Sequence, residues 1–220
     1  MIWFTSDTHF GHKNVLKYCG RPFKTVEEMD EALIANWNAI VKPDDVIYHL
    51  GDVAMSIKAV KRVLPRLNGH KILIVGNHDL MYDYFEGTRG KAYTTRMEAE
   101  YKAAGFAEIY NSGHVITVAG VTLRLSHFPA KSSYSDNRYN KHEARIPKDD
   151  DIITICGHVH QEWLKKNKSI NVGVDVRDFK PLSLIDLLME LQDERTFTAA
   201  PGIVSRGLWK IYHKIRSLLL

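Results

Sequence analysis

Short apolar runs alternate with segments of helical periodicity in the first half of the chain. Three runs are rich in β-branched and aromatic residues, which is typical of buried strands: 2–6, 46–50 and 72–75. Apolar positions recur at helical spacing in 26–41 and 56–67, and Thr25-Val-Glu-Glu28 predicts a capping box at the start of the first helix. Strands and helices that alternate in this way predict a parallel sheet built from βαβ units.

The pattern changes in the second half of the chain. Further strands are predicted over four runs: 115–118, 121–125, 152–155 and 169–172. Ala119-Gly120 between the first two predicts a hairpin, and Ser183 is a candidate cap for a helix over 184–191. The segment 129–151 is polar, basic and rich in turn residues, and a loop of that length in a compact domain favours a functional role. We therefore expect parallel units followed by antiparallel strands.

Composition and charge limit the class of protein. Hydrophobic residues make up 45% of the 220 residues and charged residues 25%, as in ordinary globular proteins. The net charge of +4 suits a phosphate-bearing substrate without indicating nucleic-acid binding by itself. Cys19 and Cys156 are predicted to be free thiols in a reducing compartment. With no secretory signal and no apolar run near the roughly 20 residues of a membrane span, we expect a cytoplasmic protein.

Polar side chains follow five of the predicted strands. In chain order they are Asp7 and His9, then Asp52, then Asn77, His78 and Asp79, then His127, and then His158 and His160. Gly51, Gly76 and Gly157 precede three of these groups and allow the backbone to turn sharply. Because ligands of α/β sheets bind beyond the carboxyl ends of the strands, we expect these side chains to converge.

The convergent set predicts a metal site. Imidazoles, carboxylates and one carboxamide suit divalent ions such as Mn²⁺, Fe²⁺, Zn²⁺ or Ni²⁺. Residues two apart in an extended segment point the same way, so Asp7 with His9, and likewise His158 with His160, can face one site. The ligands are too many for one ion, which favours two ions that share a bridging carboxylate. Any one of these groups alone would more often be a turn or a cap, but five in this order are hard to explain as unrelated turns.

The ordered blocks DTH, GD, GNHD, H and GHVH, from Asp7 to His160, resemble the calcineurin-like metallophosphoesterase superfamily. The segment NVGVDVRDFKPLSL resembles the one that closes the compact bacterial and phage members. The resemblance implies a four-layer α/β/β/α sandwich of two mixed β-sheets flanked by helices, with a dinuclear centre at the carboxyl ends of the strands. It also implies a phosphoester hydrolase in which a hydroxide that bridges the two ions attacks phosphorus.

The resemblance assigns roles residue by residue. It implies that Asp7, His9 and His160 hold the first ion, that Asn77, His127 and His158 hold the second, and that Asp52 bridges them. His78 would be the catalytic histidine that is not a ligand. Asp79 is our candidate for orienting His78, with a turn or capping aspartate as the alternative. We expect Mn²⁺ in both positions, with Fe, Zn, Ni and Mg as alternatives.

Two departures from the pattern of protein Ser/Thr phosphatases limit the class of substrate that we expect. The sequence after Asp52 lacks the Asp-Arg-Gly of protein Ser/Thr phosphatases, and Asp79 stands where those enzymes have glutamate. We therefore expect hydrolysis of phosphodiesters, with nucleotide or nucleic-acid-derived substrates favoured. The alternatives are a phosphomonoesterase on small metabolites or nucleotides, a nuclease guided by the basic loop, and a scaffold that keeps the fold without catalysis.

Three basic residues are candidates for contact with the substrate: His12, Arg21 and Arg138. Each also has an ordinary explanation, as the first turn of a helix, a surface arginine and part of a solvated loop. The basic groups of the loop are mixed with tyrosines, a composition that suits a nucleotide or a short single-stranded nucleic acid.

The C-terminal residues differ from the rest of the chain. We predict a metallophosphoesterase domain over 1–195 and a basic amphipathic helical appendage over 196–220, where apolar residues recur at helical spacing. We expect this helix to pack on its own domain or on a second subunit in a homodimer. Contact with an anionic membrane surface is the less favoured alternative.

Overall fold

Ten strands form two mixed sheets in the residues that the computed structural model describes, which are 1–83, 89–118, 120–134 and 142–192. The strands are β1 (Ile2–Thr5), β2 (Val46–His49), β3 (His70–Ile74), β4 (Phe106–Tyr110), β5 (His114–Val118), β6 (Val121–Leu125), β7 (Ile153–Cys156), β8 (Lys165–Lys166), β9 (Ser169–Asn171) and β10 (Leu182–Ser183). The α-helices are α1 (Val15–Tyr18), α2 (Val26–Ile40), α3 (Ile57–Val63), α4 (Lys91–Ala104) and α5 (Leu184–Gln192).

The first sheet has the strand order β10-β1-β2-β3-β4. Strands β1 to β4 run parallel, as the alternation of strands and helices predicts, and β10 joins β1 in the antiparallel direction. The carboxyl ends of β1, β2 and β3 therefore lie at one edge of this sheet.

The second sheet has the strand order β5-β6-β7-β9-β8. The predicted hairpin is confirmed, since β5 and β6 pair in antiparallel register. The expectation of antiparallel strands throughout this half is wrong, because β6, β7 and β9 run parallel. The segment 126–152 joins β6 to β7 and is long enough to bring the chain back to the end of the sheet where β6 begins, as a parallel connection requires.

Helix α2 shows how local sequence fixes an element in place. The Thr25 hydroxyl accepts a hydrogen bond from the Glu28 amide at 3.1 Å, which confirms the predicted cap. Met29, Leu33 and Trp37 then recur on one face of the helix and are buried against the first sheet. The helix therefore covers the sheet and leaves its strand ends open.

Two hydrophobic cores hold the layers together. One lies between the first sheet and helices α1 to α4 and includes Trp37 and Tyr101, and the other lies between the sheets and includes Phe4 and Leu123 together with Leu187 of α5. On the outer face of the second sheet, Ser133 Oγ hydrogen bonds to Ser169 Oγ at 2.9 Å. The fold is thus α/β, with two mixed sheets flanked by helices, as predicted.

Some predictions fall on residues that the structure does not describe. Arg138 and the appendage 196–220 lie outside the described residues, so the predicted domain boundary and the homodimer and membrane contacts stay predictions, as does the cytoplasmic location. In the ranges that are described, no helix has the length and apolar character needed to cross a membrane.

Candidate metal centre

The loops that follow β1, β2, β3, β6 and β7 meet at one edge of the molecule. Backbone hydrogen bonds continue between the loops beyond the strand ends, from Asp7 N to Gly51 O and from His9 N to Asp52 O, each at 3.0 Å. A third bond, from Gly157 N to His127 O at 3.0 Å, joins the two loops of the second sheet. These bonds bring together residues that are far apart in the sequence.

Five of the seven predicted metal ligands have a left-handed backbone. Their φ angles are 57° at Asp7, 49° at His9, 58° at Asp52, 71° at His158 and 46° at His160. Such a conformation costs a residue with a side chain about 1–3 kcal/mol, and it persists only where the surrounding structure enforces it. Backbone strain of this kind concentrates at functional sites, and here it turns each ligand toward a common centre.

Two glycines let the loops approach the carboxylates closely. A Cβ atom on Gly76 would lie 2.3 Å from Asp52 Oδ1, and one on Gly157 would lie 2.3 Å from Asp7 Oδ2. Neither position has room for a side chain, so the glycines that precede the polar groups are required by packing as well as by the turn.

The predicted ligands of the first ion form a tight group. Asp7, His9 and His160 each offer a ligand atom, and these atoms lie within 4.8 Å of one another. The His9 ring is 2% exposed, and neither of its nitrogens hydrogen bonds to any residue that the structure describes. Burial, followed by the nearby His160, lowers the pKa of His9 well below its ordinary value, so the ring is neutral and presents a lone pair. A cation held by this group would satisfy an imidazole that is otherwise buried at a cost.

The predicted ligands of the second ion also direct lone pairs at one point. His127 Nδ1 donates to the Leu50 carbonyl at 2.7 Å, which leaves His127 Nε2 as an acceptor in the neutral ring. Asn77 Oδ1 lies 3.0 Å from that nitrogen, and His158 Nδ1 lies 3.2 Å from it. An amide oxygen cannot donate to an unprotonated nitrogen, so the convergence fits a cation between these atoms better than a hydrogen bond.

Asp52 lies between the two groups. Its Oδ2 atom is 3.5 Å from His9 Nε2 and 3.6 Å from His127 Nε2, which is where a bridging carboxylate would be needed. Burial, with Asp7 and Asp79 close by, raises the pKa of Asp52 well above its ordinary value. Divalent cations would offset the repulsion between these carboxylates, so charge and geometry both fit two metal ions.

His78 lies at the rim of the site. Its side chain is exposed, its amide donates to Asp52 Oδ1 at 2.8 Å, and its ring centroid is 5.4 Å from that of His9. The part of the ring that lies beside His9 is shielded from solvent, and this partial burial, with His127 and His12 nearby, lowers the pKa of His78 to about 4. His78 is therefore a neutral imidazole at pH 7, able to donate one N–H and to accept one proton.

The structure does not support the predicted contact between Asp79 and the His78 ring. The Asp79 carboxylate instead accepts from three backbone amides, those of Asp52 at 3.0 Å, Val53 at 3.0 Å and Gly76 at 2.8 Å. It holds the loop after β2 against the loop after β3, which agrees with the alternative of a turn aspartate.

Of the predicted substrate contacts that the structure describes, His12 lies near the metal groups with its ring partly accessible, whereas Arg21 is buried. The His12 ring is half-buried and lies 5.4 Å from the His9 ring, which places it at the mouth of the site. Arg21 is 5% exposed, and its guanidinium donates to Asp175, to Met29 Sδ and to the carbonyls of Asp7 and Thr8. All of its donors are engaged, so the structure does not support the predicted contact of Arg21 with the substrate.

Asp175 is a functional residue that the sequence analysis missed. It accepts a hydrogen bond from His160 Nδ1 at 2.7 Å, which directs the other ring nitrogen of His160 toward the metal group. The Cys19 sulfur lies within 4.8 Å of ligand atoms of both residues, but Arg21 already occupies both Asp175 oxygens. We therefore interpret Cys19, His160 and Asp175 as a hydrogen-bonded support and not as a separate metal site. The only sequence signal was the position of Asp175 within NVGVDVRDFKPLSL.

Comparisons with known proteins agree with this geometry. The family model of the calcineurin-like phosphoesterase superfamily domain matches residues 1–177. An uncharacterised protein of Methanocaldococcus jannaschii is 36% identical over 200 residues, which cover 86% of this chain and 90% of that protein. The gene 66 protein of Mycobacterium phage L5 is 29% identical over 194 residues, which cover 79% of this chain and 86% of the phage protein.

A solved structure shares the fold. The crystal structure of a protein of unknown function from Aquifex aeolicus, AQ665, matches with a TM-score of 0.63 at 28% identity, and the match covers 87% of this chain and 98% of that one. The matched family region includes every predicted metal ligand and Asp175. The chain belongs to the calcineurin-like phosphoesterase superfamily.

Proposed function

We propose that the protein is a metal-dependent phosphodiesterase that acts on nucleotides or nucleic-acid-derived phosphodiesters. The observation that carries the proposal is the position of Asp52, whose Oδ2 atom lies between His9 Nε2 and His127 Nε2 at nearly equal distances of 3.5 and 3.6 Å. Family membership supports a metal-dependent hydrolase of phosphoesters.

The roles proposed for the ligands follow from the two groups. Asp7, His9 and His160 would hold one divalent ion, Asn77, His127 and His158 would hold the other, and Asp52 would be shared. When bound, the ions would supply positive charge to the phosphate oxygens and lower the pKa of water. Mn²⁺ remains our expected metal, with Fe, Zn, Ni and Mg as alternatives.

His78 is the candidate catalytic residue of the chain itself. Because its ring is neutral and exposed at the rim, its N–H can donate to the leaving oxygen as negative charge develops there. The hydrogen bond from its amide to Asp52 Oδ1 fixes the start of the side chain relative to the shared carboxylate.

One feature supports a substrate of the nucleotide class. Tyr18 is 71% exposed, and its ring meets that of His12 edge-on at 6.3 Å. Exposed aromatic surface beside a phosphate site suits a planar base, and the proposed contact of Arg138 with the substrate would add charge to it.

The test combines metal analysis with a panel of substrates. The panel contains bis-p-nitrophenyl phosphate, p-nitrophenyl phosphate, 2′,3′- and 3′,5′-cyclic nucleotides and oligonucleotides. We expect two ions per chain and a higher kcat/KM on diesters than on the monoester. Asp52→Asn should lose metal, whereas His78→Ala should keep metal and lose rate, by about 10²–10³-fold for the loss of one hydrogen-bond donor to the leaving oxygen.

Each other outcome would replace the proposal. A preference for p-nitrophenyl phosphate would favour the monoesterase, and specific cleavage of oligonucleotides would favour the nuclease. Two bound ions with no turnover of any ester would favour the scaffold. Full activity in both variants would contradict the site assignment itself.

A further inference from the structure

A buried ion pair lies directly behind the predicted first metal group. The side chain of Arg21 is 0% exposed and that of Asp175 is 2% exposed, and the two residues are separated by 154 positions in the sequence. Arg21 Nε donates to Asp175 Oδ1 at 2.7 Å, and its terminal nitrogen donates to Asp175 Oδ2 at 2.9 Å. This two-pronged geometry fixes both side chains in one orientation.

The pair holds the backbone of the first ligand loop. Arg21 also donates to the Asp7 carbonyl at 2.6 Å and to the Thr8 carbonyl at 3.0 Å. Asp7 and His9 are two of the residues with a left-handed backbone. The guanidinium therefore binds carbonyl groups in a segment that would otherwise relax toward an unstrained conformation.

The same pair holds a ligand from the other sheet. Asp175 Oδ2 accepts from His160 Nδ1 at 2.7 Å, so the ring is oriented by the carboxylate that Arg21 already fixes. Carboxylates that accept from a metal-binding histidine set its tautomer and raise its strength as a ligand. Through one guanidinium, the ring orientation of His160 is tied to the backbone at Asp7.

The predicted second metal group has a different support. His127 is oriented by the backbone carbonyl of Leu50, and the loop that carries Asn77 is held by Asp79, which accepts from the neighbouring Gly76 amide at 2.8 Å. Neither bond involves Arg21 or Asp175. Asp7 also accepts from the His158 amide at 3.0 Å, so a change to the ion pair should act mainly on the first group and only weakly on the second.

We infer that Arg21 and Asp175 are positioning residues. They hold Asp7, His9 and His160 in their binding geometry before an ion arrives, so this pair determines how tightly the ion at that group is bound. The inference rests on the proposed metal sites but not on the proposed substrate. An ordinary structural ion pair would lower stability when broken without changing the affinity of one ion selectively.

The experiment measures binding of Mn²⁺ to the full chain after treatment with a chelator and dialysis. Free Mn²⁺ is followed by its electron paramagnetic resonance signal, and unfolding is followed in the same samples. Asp175→Asn keeps the shape of the side chain and removes its charge. Arg21→Lys keeps the charge and removes the planar guanidinium that makes two parallel hydrogen bonds to Asp175. The control is Asp150→Asn, which breaks the exposed bidentate pair between Arg124 of β6 and Asp150, outside the site.

We expect wild type and Asp150→Asn to bind two Mn²⁺ ions in distinguishable classes. Asp175→Asn should weaken one of the two classes by about 10–100-fold and leave the other nearly unchanged. Arg21→Lys should act in the same direction, and saturating Mn²⁺ should restore kcat in both variants. If Asp175→Asn fails to fold, the comparison of Arg21→Lys with Asp150→Asn decides the question.

Equal loss of both classes would overturn the inference, and so would binding constants that match the control. Hydrolysis is not required for either reading. A protein that binds two ions as expected but cleaves no diester would contradict the proposed function alone.

Discussion

Replacement of His49 by glutamine tests whether the stability of the protein depends on a neutral imidazole buried beside the candidate metal centre. His49 lies on β2, is 1% exposed, and places Nε2 2.9 Å from Thr8 Oγ1. The Thr8 hydroxyl donates to the Val53 carbonyl at 2.9 Å, so His49 Nε2 must carry the proton of the shared bond. The other nitrogen, Nδ1, is buried and has no hydrogen-bond partner in the part of the chain that is described. Protonation of His49 would therefore add a charge and a donor with no acceptor.

The expected effect on stability follows from the shift in pKa. Burial, with a smaller contribution from His127, lowers the pKa of His49 to about 3. In the unfolded chain the pKa is about 6.5, so the unfolded state binds the proton first as the pH falls. The contribution of His49 to stability is thus fully present above pH ~6.5 and is lost below it at about 1.4 kcal/mol per pH unit, until the pH approaches ~3. Between pH ~7.5 and ~5 the loss from this one group is about 2 kcal/mol.

The assay is urea unfolding at both pH values, with a chelator present so that metal binding does not contribute. The loss of stability on acidification should be about 2 kcal/mol smaller in His49→Gln than in wild type, whatever the stability of the variant at pH ~7.5. His70→Gln, at an exposed position on the neighbouring strand, is the matched control and should behave as wild type. Equal losses in wild type and His49→Gln would refute the reasoning.

Three further substitutions address other parts of the argument. Gly157→Ala would place Cβ 2.0 Å from Ser6 Oγ and 2.3 Å from Asp7 Oδ2. Calorimetry should therefore show loss of the first ion, and urea unfolding should show a loss of stability of about 1–3 kcal/mol. Retained binding of two ions would show that the loop can move to accept the methyl group. Asp79→Asn leaves one side-chain oxygen to accept from three backbone amides, which should lower the free energy of unfolding by about 1–3 kcal/mol in urea. An unchanged urea midpoint would show that Asp79 does not hold the two loops together. Thr25→Ala removes the cap of α2 and should lower the free energy of unfolding by about 1 kcal/mol without changing Mn²⁺ binding. Thr25→Ser should restore the stability in urea unfolding. A loss of metal in Thr25→Ala would mean that α2 affects the site directly.

The strands that carry the candidate site were predictable because their apolar runs are short and end in polar residues. The predicted run 46–50 is observed as Val46–His49, and 121–125 is observed as Val121–Leu125. In a parallel sheet, adjacent strands end on the same side, so knowing the strands is enough to place Asp7, Asp52 and Asn77 near each other. The local period of the sequence and one rule of sheet topology account for this part of the result.

Helix α4 and strand β4 were missed for a local reason. Helix α4 begins after Gly90, with no side chain that caps it and no acidic residue in its first turn. Only Met97, Tyr101 and Ala104 are buried along its 14 residues, which gives a weak apolar stripe. β4 follows at once and buries one residue fully, Phe106, so it lacks the alternation expected of a strand. These elements form because the edge of β3 and the core around Tyr101 are available to them, which a single sequence does not reveal.

The support of the site could not be read from the sequence because it depends on contacts between distant residues. Arg21 and Asp175 each have an ordinary local explanation, and only the packing of both sheets makes them one ion pair. The left-handed conformations of Asp7, His9 and His160 likewise have no marker in the sequence, since aspartate and histidine do not require them. The strain and the ion pair occur in the same place, and a strained backbone persists where strong bonds enforce it. The residues that hold the predicted ligands in place therefore have no role that their own sequence context identifies, and substitution of Arg21 or Asp175 should weaken metal binding where substitution of a ligand abolishes it.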